Sequence, residues 1–138
     1  MANKTSKSYV TQTTSLYLTA AELARRGFIV AVTSRNAPGV DLLAQTPDMR
    51  RSYGVQVKGN HWEGTQSYWL TGRRARSDSG PGLFYVFVNL KADNERPDFY
   101  IVPSSIVAKR VWVDRKKGGD WYGFDRDQDF HEKWELLE

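Results

Sequence analysis

Hydrophobic positions near the start of the chain recur at helical spacing. Leu16, Ala20 and Leu23 follow one another at intervals of four and three residues, which places them on one face of an α-helix. This spacing predicts a helix over residues 14–26. Gly27 comes directly after it and suits the left-handed backbone conformation in which many helices end. The segment therefore predicts one helix whose apolar face packs on the rest of the protein.

Short runs of apolar and β-branched residues beyond this helix predict the strands of a sheet. The predicted strands cover residues 28–32, 40–44, 53–58, 67–71, 83–90 and 99–102. The first run is apolar at every position and is expected to be a buried strand. The fifth is apolar at almost every position, which is typical of a strand near the centre of a sheet. We expect the sixth run to pair with the fifth.

The segments between these strands are rich in polar residues, glycine and proline, which are typical of turns and loops. Residues 34–39 are expected to form a turn, and residues 46–52 a hairpin loop. Residues 73–82 are mostly Arg, Ser, Asp and Gly, and are expected to form a mobile loop. Pro103 is expected to open a short helix that ends at Lys109.

A single α/β domain accounts for this pattern. The chain has 138 residues, and dividing it would leave two pieces near the lower limit for a stable core. We find no internal repeat and no linker. We therefore expect a polar leader over residues 1–13 and one domain over residues 14–138. Four aromatic residues of the tail are expected to pack over the sheet: Trp112, Trp121, Tyr122 and Trp134.

Composition excludes several classes of function. The chain has no cysteine, which excludes a disulfide scaffold, a thiol nucleophile and cysteine zinc sites. Only His61 and His131 offer imidazole ligands, so a histidine-rich zinc site is not expected either. No apolar run approaches the roughly 20 residues that span a bilayer, so we expect no membrane partner. The polar N-terminus lacks the apolar core of a signal peptide, which predicts a cytoplasmic location.

Basic residues outnumber acidic ones and gather in short clusters. The chain carries 20 Lys and Arg against 16 Asp and Glu, a formal net charge of +4. Arg73, Arg74 and Arg76 lie in the predicted loop, where they can contact phosphate groups. An ordinary solvated basic surface, or a surface that docks an acidic protein, are alternatives that the sequence does not separate.

Polar residues on two neighbouring predicted strands form the strongest candidate site. Asp41 lies in an otherwise apolar run, and Gln56 and Lys58 alternate with valines on the next strand, which points both to one face of the sheet. The Asp41 carboxylate, the Gln56 amide oxygen and the Val57 carbonyl are the oxygen ligands that Mg²⁺ prefers. Lys58 can orient a water or stabilise charge on a phosphate. These are the groups that metal-assisted phosphodiester hydrolysis requires. The alternative is structural, with Asp41 in a turn and Gln56 and Lys58 on a solvated face.

These residues, taken with the order of the predicted elements, resemble the PD-(D/E)XK nuclease superfamily, which includes many restriction enzymes and archaeal Holliday-junction resolvases. A helix and a strand precede the strand with Gly-Val-Asp41 and the strand with Gln56-x-Lys58. The segment 99–103 and the late Trp134 match this family more loosely. The resemblance implies a restriction-endonuclease-like αβββαβ core in which helices flank a mixed central sheet.

The resemblance also implies a function, that of a metal-dependent DNA endonuclease that uses Mg²⁺ or Mn²⁺. It places Asp41, Gln56 and Lys58 at the catalytic positions, and Asp41, Gln56 and the Val57 carbonyl at the metal. DNA is the implied partner. Nucleases of this fold often act as dimers so that both strands are cut, so a homodimer is part of this expectation.

Two features depart from the family pattern. Gln56 is neutral where the family has Asp or Glu, and the helix glutamate of the resolvase-like members falls at Leu16. Glu22 is a candidate additional acid, although it lies about 240° around the helix from Leu16. These departures favour an alternative function, a nuclease-fold domain without catalysis that binds nucleic acid or another protein.

His61 and Trp62 follow the candidate site directly along the chain. Aromatic rings stack on bases and histidine can transfer protons, so both residues are candidates for lining a nucleic-acid groove. Plain packing or solvent exposure is the alternative for each.

Overall fold

The computed structural model describes residues 6–34, 39–61, 67–92 and 94–138. Within these ranges the elements are α1 (Lys7–Arg25), β1 (Ile29–Val32), β2 (Leu42–Gln45), β3 (Ser52–His61), β4 (Tyr68–Thr71), β5 (Leu83–Leu90), β6 (Asp98–Pro103), α2 (Ser104–Arg110), β7 (Trp112–Lys116) and β8 (Gly119–Asp125). Most of the predicted turn at 34–39 and the candidate contact residue Trp62 lie outside the described residues.

The central sheet has five strands in the order β1-β2-β3-β5-β6. The β1–β2, β2–β3 and β5–β6 pairs are antiparallel, and β3 and β5 run parallel, so the sheet is mixed, as predicted. A hairpin loop joins β2 to β3, and the Thr46 amide donates to the Arg51 carbonyl across it at 2.9 Å. The predicted β5–β6 pair and the short helix after Pro103 are also present.

Helix α1 begins one residue after Ser6, whose hydroxyl accepts a hydrogen bond from the Tyr9 amide at 3.3 Å. The prediction that the helix starts at residue 14 is wrong, because its first two turns carry no regular apolar pattern. A polar side chain holds those turns to the sheet instead, since Gln12 hydrogen-bonds to the backbone of β3. The C-terminal end agrees with prediction, since Gly27 has a φ of 96°.

Apolar side chains pack against both faces of the central sheet. Helix α1 covers one face, over a cluster that includes Leu23, Leu42, Val55, Val57, Val86 and Ile101. Helix α2 and a second, smaller sheet cover the other face, over Trp69, Tyr85, Phe87, Tyr100, Val107 and Phe124. The domain is therefore layered, with the central sheet in the middle.

The second sheet has three antiparallel strands in the order β4-β8-β7. The C-terminal aromatic residues were expected to pack over the central sheet, and for Trp121 this is wrong, since it lies on β8 with 51% of its surface exposed. Trp112 is half-buried on β7. The expectation holds for Trp134, which is 2% exposed and lies 5.5 Å from the Phe99 ring, centroid to centroid.

Two further predictions need correction. The first strand is not buried, because β1 lies at the edge of the sheet and leaves Ile29 54% and Val32 44% exposed. The segment 73–82 is not wholly irregular, because Arg73–Arg76 forms a 3₁₀ turn. Ala75 anchors that turn by burying its side chain against the second cluster.

Neither described helix combines the length and the apolar character that crossing a membrane would need.

Candidate active site

The candidate site lies where β2 and β3 part. Pairing between them extends to Leu42 opposite Val55, and beyond it no strand among the described residues pairs with β3 on this side, up to His61. The Asp41 amide still donates to the Val55 carbonyl at 2.8 Å. Two residues further along β3, the Val57 amide donates a hydrogen bond to Asp41 Oδ2 at 2.7 Å, so the Asp41 carboxylate takes the place of a strand carbonyl. Asp41 is thereby fixed against the open edge of β3.

Gln12 of α1 closes the next part of this edge. Its Nε2 donates to the Val57 carbonyl at 2.8 Å, and its Oε1 accepts from the Gly59 amide at 3.3 Å. The helix comes this close because Gly59 has no side chain, and a Cβ there would lie 2.0 Å from the Ser15 hydroxyl. Sequence reasoning missed Gln12, although it lies four residues before Leu16 and so shares the face that packs on the sheet.

Gln56 and Lys58 lie on the face of β3 opposite α1, as their alternation predicted. Gln56 stands beside Tyr85 and Lys58 beside Phe87 of the parallel strand β5. Burial lowers the pKa of the Lys58 ammonium, because leaving water penalises the charged form, and the nearby Asp41 carboxylate opposes this effect. Lys58 is therefore easier to deprotonate than a free lysine, although the negative charge of Asp41 partly stabilises its ammonium form.

Tyr85 is affected by one charge of the candidate site and by one next to the 3₁₀ turn Arg73–Arg76, which we call the basic turn. Burial raises the pKa of its phenol, and the charges of Asp78 and Asp41 raise it further. The Asp78 carboxylate lies 3.8 Å from the point where a Cβ of Gly39 would be, and it pairs with Arg74 at 2.8 Å. Through Asp78, the basic turn is thus anchored close to Gly39, in the segment that precedes Asp41.

An open groove of about 730 Å³ unites these residues. Its lining comprises Lys7, Ser8, Thr11, Gln12, Asp41, Gln56, Lys58, Gly59, His61 and Leu70. The structure therefore brings Asp41, Gln56, Lys58 and His61 into one depression. The N-terminal turns of α1 form its opposite wall.

Other candidate residues lie outside the groove. Glu22 does not line it, because its carboxylate is paired with Arg96 at 2.7 Å, and this pairing lowers the pKa of Glu22. Ten helical residues, or about 15 Å, separate Glu22 from Gln12. Arg73 and Arg76 are exposed on the 3₁₀ turn and do not line the groove among the residues described.

The donors in the groove suit a cation only in part. Within the described ranges, Asp41 is the one carboxylate that lines the groove, and no three His, Asp or Glu side chains gather to hold a metal. The Val57 carbonyl, an expected ligand, accepts a hydrogen bond from Gln12 and keeps a second lone pair. The Asp41 carboxylate, the Gln56 amide oxygen and this carbonyl are the available oxygen donors. This set fits Mg²⁺, which is commonly held by one or two carboxylates while substrate phosphates and waters complete its shell.

Comparison with solved structures identifies the fold. The bacterial homing endonuclease I-Ssp6803I is similar at a TM-score of 0.62 with 14% sequence identity, over 96% of this chain and 92% of that one. Hjc, a Holliday junction resolvase from the archaeal hyperthermophile Archaeoglobus fulgidus, is similar at a TM-score of 0.47 with 16% identity, over 83% of each chain. No family model and no curated protein sequence matches. The predicted restriction-endonuclease-like fold, a mixed α/β single domain, is confirmed.

Proposed function

We propose that this protein is a metal-dependent DNA endonuclease that hydrolyses phosphodiester bonds in the groove between α1 and β3. One observation carries the proposal. Asp41 is hydrogen-bonded to the edge of β3. Lys58 lies in the same groove, its pKa is lowered by burial, and it is close enough to the Asp41 carboxylate for that charge to oppose this effect. The likeness in fold to a homing endonuclease supports it.

The residues of the groove would share the chemical work. Asp41, Gln56 and the Val57 carbonyl would hold Mg²⁺ or Mn²⁺, which when bound supplies Lewis-acid stabilisation of phosphoryl oxygens. Neutral Lys58 would accept the proton of the attacking water while the water oxygen bonds to phosphorus and the bond to the leaving oxygen breaks. Once protonated, the same ammonium would offset the charge on the phosphoryl group.

Basic residues around the groove would bind the flanking phosphates. Lys7 and His61 line the groove, and Arg74 is anchored close to Gly39 through Asp78. Arg73 and Arg76 share the exposed 3₁₀ turn with it. Phosphate contacts of this kind would orient the DNA without reading its sequence.

Removal of the Asp41 carboxylate tests the proposal. Mg²⁺ or Mn²⁺ is titrated by calorimetry into the wild type and Asp41→Asn, and nicking of supercoiled plasmid is measured for both. We expect metal binding and nicking in the wild type and the loss of both in the variant. Glu135→Gln, which alters an exposed carboxylate outside the groove, is the control and should behave as wild type. Equal nicking by Asp41→Asn would overturn the proposal.

A second candidate function is a nuclease-fold domain that binds nucleic acid without cleaving it. It is favoured by the single carboxylate among the described lining residues and by the engagement of the Val57 carbonyl with Gln12. It predicts DNA binding that weakens steeply with salt but is independent of divalent metal. Binding without nicking in the experiment above would select this function.

A further inference from the structure

The outward face of the second sheet carries aromatic and apolar side chains beside the charged ones usual on a solvated face. Register places Trp112 and Leu70 on either side of Gly123, and Trp121 opposite Asp114. Residues directly opposite one another in antiparallel strands share a face. Tyr68 lies two residues before Leu70 and therefore also points outward. We refer to Tyr68, Leu70, Trp112 and Trp121 as the aromatic face.

Trp112 is held flat in the middle of this face. Its ring lies over Gly123, where a Cβ would come 2.1 Å from the ring. Its indole nitrogen donates to Asp125 at 2.9 Å, and Tyr68 meets its ring edge-on with centroids 5.5 Å apart. Gly123 therefore provides the space for a ring to lie against the sheet, and two contacts fix its orientation.

The remaining members of the aromatic face are open to solvent. Trp121 is 51% and Leu70 47% exposed. Above Trp121 lies the Lys116 ammonium, 5.7 Å from the ring centroid, and Lys117 follows at the tip of the hairpin between β7 and β8. An exposed tryptophan with a cation over it offers both a stacking surface and a positive charge. Solvent contact of so much apolar surface is typical of a binding site.

The aromatic face is continuous with the candidate active site. Leu70 lines the large groove together with Asp41 and Lys58. It also lines a smaller depression of about 140 Å³ whose other walls include Trp121 and Tyr122. A polymer that enters the groove can therefore follow the surface through Leu70 onto the aromatic face.

We propose that the aromatic face binds unpaired nucleobases next to the scissile phosphate, so that the preferred substrate is DNA with a single-stranded segment flanking a duplex. The inference rests on the proposed nucleic-acid function and names its substrate class. Bases stack on aromatic rings only when they are unpaired and splayed out, whereas intact duplex presents its backbone and groove edges. Lys116, which is paired with Asp114 at 3.0 Å, and Lys117 at the tip of the hairpin supply positive charge for the phosphates of such a strand.

Binding of two labelled DNAs in the absence of divalent metal tests this inference. One is a blunt duplex and the other is the same duplex with a single-stranded tail, and affinity is measured by fluorescence anisotropy. We expect Trp121→Ala to weaken binding of the tailed DNA about tenfold. Affinity for the blunt duplex should not change. Trp121→Phe, which keeps an aromatic ring, should restore most of the affinity.

A matched control is Tyr17→Ala, which removes an exposed aromatic ring from α1 and should alter neither affinity. Circular dichroism establishes that each variant is folded. Equal affinity of wild type and Trp121→Ala for the tailed DNA would overturn the inference and leave the nuclease proposal intact. Loss on both DNAs alike would also overturn it, because stacking on unpaired bases would not be the cause. A wild type that binds neither DNA would overturn the inference, whereas the nuclease proposal is decided separately by the nicking assay with Asp41→Asn.

Discussion

Lys58 is held between two opposing influences. Burial against β5 disfavours its charge, and Asp41 favours it, with burial the larger effect. A lysine in this position can change its protonation state at a cost lower than that of a free side chain. The residue is thereby suited to accept a proton.

Replacement of Lys58 separates a proton acceptor from a simple positive charge. We expect Lys58→Ala to abolish nicking while the melting temperature is unchanged or higher, because no buried charge remains. Lys58→Arg keeps the charge, but its guanidinium does not lose a proton at ordinary pH, so it should also be inactive. Nicking by Lys58→Arg at the wild-type rate would show that the charge alone is sufficient. Robust nicking by Lys58→Ala would exclude this lysine from the chemistry.

The lowered pKa of Lys58 has two consequences for pH. The nicking rate should rise with pH and level off below 10.5, the ordinary lysine value, since the neutral amine is the active form. The free energy of unfolding should also rise with pH between the folded pKa and 10.5, because the unfolded chain binds the proton more tightly there. NMR titration of labelled lysine measures the pKa directly. A Lys58 pKa at or above 10.5 would contradict both expectations.

At the scale of elements, Gln12 joins α1 to the part of β3 beyond its pairing with β2. Gln12→Ala leaves the Val57 carbonyl and the Gly59 amide without their side-chain partner. We expect a loss of about 1–2 kcal/mol in the free energy of unfolding, measured with urea. Gln12→Glu can still accept from Gly59, but it sets a carboxylate oxygen against the Val57 carbonyl near Asp41, so its loss should be at least as large. Stability equal to wild type in Gln12→Ala would mean that water replaces both bonds.

A second junction ties the C-terminal end of α1 to the loop before β6 and to the C-terminal segment. Arg96 binds Glu22 at 2.7 Å and Glu132 at 2.8 Å. Because Arg96 lowers the pKa of Glu22, the stability from this pair is present above 4.5 and is lost as pH falls through the folded pKa. Glu22→Gln should cost about 1–2 kcal/mol at neutral pH and less in acid. Urea unfolding at both pH values measures this, and a loss independent of pH would contradict it.

The sequence predicted those elements whose signals are local. Strand β5 was predicted with its observed bounds because its apolar run is continuous, and Gln56 and Lys58 were predicted because strand alternation needs only neighbouring residues. Gln12 could not be found in this way, since its contact with Val57 spans 45 residues. The β7–β8 hairpin was missed because two of its aromatic residues, Trp112 and Trp121, point outward, contrary to the rule that places them in the core.

At the scale of the whole molecule, the central sheet separates two packed layers, and the groove opens at one end of it. Helix α1 covers one face, and α2 with the second sheet covers the other. This arrangement brings α1, β3, β4 and Asp41, which directly precedes β2, to a single depression. The chain shares its fold with I-Ssp6803I at a TM-score of 0.62, although only 14% of the residues are identical.

The contribution of the basic turn, Arg73–Arg76, to DNA binding can be measured from the salt dependence of the affinity. Each phosphate contact adds roughly 0.9 to the slope of log affinity against log salt for duplex DNA. We expect Arg73→Gln and Arg76→Gln each to reduce that slope by about 1 and to weaken binding evenly across DNA sequences. Arg50→Gln, on the β2–β3 hairpin loop, is the control. An unchanged slope in both variants would place the turn away from the DNA.

The hydrogen bond between the Val57 amide and Asp41 Oδ2 gives the protein an internal reporter. The carboxylate that is proposed to hold a cation is the same one that accepts a hydrogen bond from the Val57 amide. A cation that draws electron density from this carboxylate must weaken the bond it accepts, and the amide will respond. The resonance of a single backbone nitrogen, followed during a metal titration, would thus register occupancy of the groove without any substrate or cleavage.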